Sequence, residues 1–272
     1  MPQSEPGAER RLARTYAYAG GSGFAREAFV AVEAAVALEF GGLPHAVMMA
    51  TPADLEDFAY GFALTEGIIE RAADIRAIEV IESAEGHTIR VALSGERLGG
   101  HLAKRRALVG RTSCGLCGVE DFSQLPKPAR VSAAPAVSPG AVKAALGEFA
   151  RRQRLNALTH SVHGAAWCGS DGAVLALRED VGRHNALDKL IGALMRAGTP
   201  PQGGFLLISS RCSLEMVAKA ARFGASTLVS VSAPTTLALD AAERLGVMVI
   251  AVARDDHALA FEPLAARTEN AA

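Results

Sequence analysis

Residues 205–252 read FLLISSRCSLEMVAKAARFGASTLVSVSAPTTLALDAAERLGVMVIAV, and their rhythm sets the fold class. Three short apolar runs, 205–209, 227–231 and 247–252, alternate with helical patterns at 214–223 and about 237–245. Gly224 and Gly246 stop those helices, because glycine takes the left-handed conformation at a helix end without a Cβ penalty. Strands alternating with helices of about ten residues predict βαβ units around a largely parallel sheet. The pattern extends upstream. Ser138-Pro139 opens a helix with Val142, Ala145, Leu146 and Phe149 on one face, and 165–168 and 173–177 read as strands around Ser170-Asp171-Gly172. A further helix follows over about 185–195.

The first half has another rhythm. Residues 1–23 are rich in Gly, Ala, Ser and Arg and are expected to form a disordered tail. Residues 46–50 suggest a buried strand, followed by a helix with Thr51 as its N-cap and Pro52 at its first position. Leu55, Phe58, Ala59, Phe62 and Ala63 lie at helical spacing, and Gly67 closes the helix. Residues 75–82 and 88–93 alternate as strands around Ala84-Glu85-Gly86. The Pro- and Ala-rich stretch 124–139 reads as a linker. The expected architecture is therefore a tail (1–23), a smaller N-terminal α+β domain (24–130) and a C-terminal α/β domain (131–272).

Half of the 272 residues are hydrophobic, 21% are charged, and the formal net charge is −1. That balance excludes global disorder and gives no reason to expect nucleic acid or an acidic membrane as partner. The apolar runs fall short of the roughly 20 residues a membrane helix needs. Four cysteines are too few for a disulfide scaffold at this length. No charged-plus-apolar signal segment is seen at the N-terminus, so the expected compartment is the cytoplasm.

Two features carry chemistry. The first is RTSCGLCG at 111–118, where Cys114 and Cys117 stand three apart between glycines in a polar connector. Arg111 favours the thiolate over the thiol, whose unperturbed pKa is about 8.5. The spacing suits a sulfur relay, a redox disulfide or half of a zinc site. His160 and His163 are candidate partners for zinc. A zinc nucleobase deaminase is excluded: no histidine is followed two positions later by glutamate, and Ser113 replaces the required proline. Cys168 and Cys212 read as inert core residues, and Trp167 as core.

The second feature is a set of polar connections on the carboxyl edge of the expected sheet, where open α/β sheets bind ligands. They are REDVGRHN (178–185), SSRCS (209–213) and SVSAPTT (230–236). Arg183, His184, Arg211 and Ser232 there, with helix N-termini, suit an anion and most simply phosphate. The plainer alternative is that Ser213 and Thr235 only cap their helices and Arg183 pairs with Glu179.

With these residues in view, the chain resembles the formate dehydrogenase accessory sulfurtransferases, the FdhD family. The resemblance rests on PHAVMMATPADLEDFAYGFALTEGII (44–69), RTSCGLCGVE (111–120) and LREDVGRHNALDKLIG (177–192), with weaker support from VSAPTTLALDAA (231–242). It implies a cytidine deaminase-like C-terminal domain without zinc and a dimeric protein. It further implies that a cysteine desulfurase loads a persulfide onto Cys114, with Cys117 as second thiol. The sulfur then passes to molybdenum of the bis(molybdopterin guanine dinucleotide) cofactor before that cofactor enters formate dehydrogenase. The family assigns cofactor contact to the segment after the last strand, here Val252, Ala253, Arg254, Asp255, Asp256 and His257, whose two aspartates are unfavourable to a polyanion. The rivals are a zinc- or nucleotide-binding regulatory module with a structural CxxC, and a dithiol-disulfide oxidoreductase.

Overall fold

The computed structural model describes residues 7–16, 18, 23–107 (backbone alone for 102–107), 128–132, 137–254 and 256–263. Two larger sheets organise the chain. The first contains β3 (Ala34–Phe40), β4 (Leu43–Ala50), β5 (Ile75–Ser83) and β6 (Gly86–Leu93) in the order β4-β3-β6-β5. The second has six strands in the order β12-β11-β10-β9-β7-β8, formed by β7 (His163–Gly169), β8 (Val174–Asp180), β9 (Gly204–Ile208), β10 (Thr227–Ser230), β11 (Met248–Ala251) and β12 (Leu259–Phe261). The periodicity at 205–252 is realised as the parallel strands β9, β10 and β11, joined by α6 (Leu214–Phe223) and α7 (Thr236–Leu245). Gly224 and Gly246 end those helices at φ 95° and 73°. The sheet is mixed rather than wholly parallel, because β7–β8, β7–β9 and β11–β12 pair antiparallel.

Hydrophobic faces stack these layers. One face of the six-stranded sheet presents Ala166, Cys168, Phe205, Leu207 and Val229 to Val142, Ala145 and Phe149 of α3 (Pro139–Arg152). The other presents Trp167, Leu206, Ile208, Leu228 and Val249 to α5 (Arg183–Arg196), α6 and α7. That same core continues through α1 (Leu55–Thr65) to Val36, Leu38, Phe40, Ile89 and Val91 of the four-stranded sheet. Glycines make the junction close: a Cβ on Gly61 would lie 1.7 Å from the Asp188 carbonyl oxygen, and one on Gly192 1.8 Å from that of Asp57. The helices therefore pack with backbone nearly against backbone.

Several local expectations change. Residues 8–14, assigned to the tail, form β1 (Ala8–Arg14), paired antiparallel along its length with β2 (Ala25–Ala31). The strand around 46–50 is buried on one face only: Ala46, Met48 and Ala50 pack on the core, but β4 is a sheet edge, and Val47 and Met49 are 62% and 53% exposed. Thr51 does not cap α1. That helix begins at Leu55 behind Asp54, whose φ is 53°, because the Thr51 polar groups are committed to Asp180, Val181 and Lys189. Within the stretch expected as linker, the Val131 amide donates to the Leu245 carbonyl at 2.8 Å and Arg130 donates to the Glu243 and Arg244 carbonyls. Among the described residues, no helix is long and apolar enough to cross a membrane.

Candidate functional site

The carboxyl ends of β8, β9, β10 and β11 and the amino end of β7 share one edge of the six-stranded sheet. Three polar connections meet there, as their sequence suggested. Ser230 Oγ donates to the Ser210 and Ser232 carbonyls at 2.8 and 2.9 Å, and the Cys212 amide donates to the Ala233 carbonyl at 3.2 Å. The Val252 and Ala253 amides donate to the Ser232 and Ser230 carbonyls at 3.2 Å. Arg254 donates to the Val231 and Ala253 carbonyls. These bonds lace the SSRCS, SVSAPTT and post-β11 segments into one wall.

The expected site residues differ within that wall. Arg211 and Arg254 are exposed, whereas the Ala253 side chain is 2% exposed and packs in the core with Val229 and Ile250. Val252 is held at φ 53°, unusual for a β-branched residue. Asp256 and His257 pair with each other at 2.8 Å on the surface, and this bond holds the Asp256 carboxyl below its ordinary value. Cys114, Cys117 and Asp255 lie outside the described residues. Thr235 caps α7 by accepting from the Ala238 amide, while Ser213 makes no cap hydrogen bond.

Arg183 and His184 form the first turn of α5. Arg183 Nε and His184 Nε2 are buried without a hydrogen-bond partner. Buried polar atoms are ordinarily bonded, so two such atoms on adjacent residues at a helix N-terminus stand out from the rest of the segment. Burial, then Arg183, Lys219 and His163, push the His184 imidazole down to about 4, against the opposing pull of Glu215. It is a neutral ring at physiological pH. His163 Nδ1 lies 3.3 Å from Ser209 Oγ, which also accepts from the Gly164 amide. Burial and Arg183 likewise lower His163. His160 closes α4 (Arg154–Thr159) at the surface, so the two candidate zinc histidines serve different elements. Among the described residues, no cluster of three or more His, Cys, Asp or Glu has metal-binding geometry. Cys168 and Cys212 are buried and pushed up to about 12 by desolvation, so neither supplies a thiolate.

The rest of the REDVGRHNALDK segment is fully engaged. Asp180 is 0% exposed; Oδ1 accepts from the Gly182 amide at 2.7 Å and Asn185 Nδ2 at 3.0 Å. Its Oδ2 accepts from the Thr51 amide at 3.0 Å and lies 2.6 Å from Lys189 Nζ. Lys189 also donates to the Thr51 carbonyl and Asn185 to the Met49 carbonyl, both at 2.8 Å, while Thr51 Oγ1 accepts from the Val181 amide. Arg178 and Arg196 converge on Asp57, and Lys219 joins Asp188 to Thr65. Glu179 accepts from the Leu155 and Asn156 amides at the start of α4. Sequence reading missed this buried network, along with Glu215. Asp180 and Lys189 face Thr51 across more than a hundred positions, so no local spacing signals the contact.

The FdhD/NarQ family matches residues 31–266. A protein of Bordetella petrii named sulfur carrier protein FdhD is 46% identical over 234 residues, covering 85% of this chain and 84% of that protein. One of Chromobacterium violaceum with the same name is 47% identical over 229 residues, covering 83% and 85%. The fold is shared with the crystal structure of a candidate formate dehydrogenase accessory protein from Desulfotalea psychrophila. There the TM-score is 0.75 at 24% identity, covering 96% of this chain and 99% of that one.

Proposed function

The chain belongs to the FdhD/NarQ family, and from that membership we propose that it is a sulfur carrier serving formate dehydrogenase. The observation that carries the reading beyond the family is the buried, unpartnered pair Arg183 Nε and His184 Nε2, at a helix N-terminus on the carboxyl edge of the sheet. With the exposed guanidinium groups of Arg211 and Arg254 on the same edge, this geometry suits a phosphate-bearing ligand. The ligand we propose is the bis(molybdopterin guanine dinucleotide) form of the molybdenum cofactor, held as cargo. The strand order β8-β7-β9-β10-β11, with helices on both faces, supports a cytidine deaminase-like C-terminal domain.

The proposed transfer has two steps. The Cys114 thiolate attacks the terminal sulfur of a desulfurase persulfide, forming the Cys114 persulfide and releasing the desulfurase thiolate. The Cys117 thiolate then attacks Cys114 Sγ, forming a Cys114–Cys117 disulfide and freeing the outer sulfur as hydrosulfide for the metal. The two thiols supply both electrons. Cys168 and Cys212 do not compete, since burial keeps them protonated. In this reading the protein works in the cytoplasm as a homodimer, receives sulfur from a cysteine desulfurase and hands its cargo to formate dehydrogenase.

Intact-protein mass spectrometry after incubation with a cysteine desulfurase and cysteine tests the reading. One added sulfur atom on Cys114, lost in Cys114→Ala and retained in Cys117→Ala, is the expected result. A protein that gains sulfur on neither cysteine is not a carrier of this kind.

A further inference from the structure

The first turn of α5 has an unusual support. Its N-cap is Gly182, which offers no capping side chain, and a Cβ there would lie 2.7 Å from Asn185 Nδ2. The turn is held from outside instead. Asp180 secures the Gly182 amide and the Asn185 side chain, and Thr51 Oγ1 secures the Val181 amide. Both Asp180 and Lys189 also grip the backbone of Thr51, and Asn185 grips that of Met49. The residues that follow directly are Arg183 and His184.

We infer that Asp180, Thr51 and Lys189 are positioning residues for the ligand contacts: they fix Arg183 and His184 to residues 49–51, so that this contact surface forms only when β4 and α1 are docked on the six-stranded domain. This rests on the proposed reading of Arg183 and His184 as ligand contacts. It adds that ligand affinity and docking of the N-terminal half are linked. A ligand that needs the ordered turn strengthens the junction, and by reciprocity the junction strengthens the ligand.

Thr51→Val is the informative variant. It keeps the shape and the backbone contacts but removes the oxygen that accepts from Val181. Asp180→Asn strikes harder, but it leaves the Lys189 ammonium buried without its counter-charge and risks unfolding the chain. Thr65→Val is the control, because it removes a junction hydroxyl bonded to Asp188 and Lys219, away from the turn. Two measurements on the full chain separate the possibilities. One is the NMR titration of His184, faced by Arg183, Lys219, His163 and Glu215. The other is calorimetric binding of guanosine diphosphate, which carries the base and the pyrophosphate of the proposed cargo.

Thr51→Val is expected to raise the His184 midpoint above about 4 and to weaken nucleotide binding at least about fivefold. Thr65→Val is expected to do neither. If the two variants behave alike, or the midpoint stays put in Thr51→Val, the positioning role is wrong. If the midpoint moves only in Thr51→Val but the wild-type chain binds no nucleotide, positioning stands and the ligand reading fails.

Discussion

Within residues 178–189, neighbouring side chains meet opposite fates. Asp180, Asn185, Asp188 and Lys189 are buried, and their polar groups are bonded to Met49, Thr51, Thr65, Lys219 or one another. Arg183 and His184, between them, bury Nε and Nε2 with no partner at all. A polar group taken from water costs free energy unless the fold returns a bond, so satisfied groups are part of the folded structure and unsatisfied ones are left open to water or a ligand. One motif thus holds two kinds of residue, inseparable by their chemistry alone.

The sharpest way to break that comparison is to strike its satisfied side. Asp180→Ala leaves Lys189 as an uncompensated buried charge, and denaturant unfolding should show a loss of about 3–5 kcal/mol. The double variant Asp180→Ala/Lys189→Met should recover part of it. A single variant as stable as wild type would mean the pair is not a structural junction. Next in size is Gly192→Ala, whose Cβ would meet the Asp57 carbonyl oxygen at 1.8 Å. Forcing α1 and α5 apart should cost about 1–3 kcal/mol, read as a lowered Tm.

A smaller effect comes from the unsatisfied side through pH. His184 protonates near 4 in the fold and near the ordinary histidine value of 6.5 once unfolded. Between those values the unfolded chain binds a proton that the folded chain refuses. Stability from this group is therefore complete above 6.5 and falls as pH drops toward 4, by at most about 1 kcal/mol per pH unit. His163, also lowered by burial, acts in the same direction. His184→Asn should flatten the slope; an unchanged slope would assign it to other groups. The smallest expected stability change is that of Arg183→Ala, within about 0.5 kcal/mol, because no partner is lost. The same variant should weaken guanosine diphosphate binding. A destabilisation rivalling that of Asp180→Ala would erase the distinction between the two sides.

Much of the C-terminal half was legible because its signals are local. Periodicity gave α6 and α7, glycines gave their ends, and Ser138 accepts from the Ala141 amide as its position before Pro139 suggested. Thr51 shows where local reasoning stops. Before Pro52 it has every mark of a helix cap, yet the β8–α5 junction takes its amide, carbonyl and hydroxyl. A buried carboxylate and ammonium outbid a marginal cap. β4 fails for a related reason: its apolar residues look like core, and only sheet order shows that it is an edge. The site was legible as chemistry on three loops, but not as a division of labour among its residues.

The sequence by itself determined the family, the alternation of strands and helices after residue 138, and which loops carry polar and basic side chains. These follow from spacing, turn chemistry and motif, all read along the chain. The tertiary structure alone decided that α1 packs backbone-close on α5, that Asp180 and Lys189 serve the junction, and that Arg183 and His184 remain available. Availability is a balance of burial against bonding. Both terms are fixed by residues distant in sequence, so they come into being only when the chain is folded.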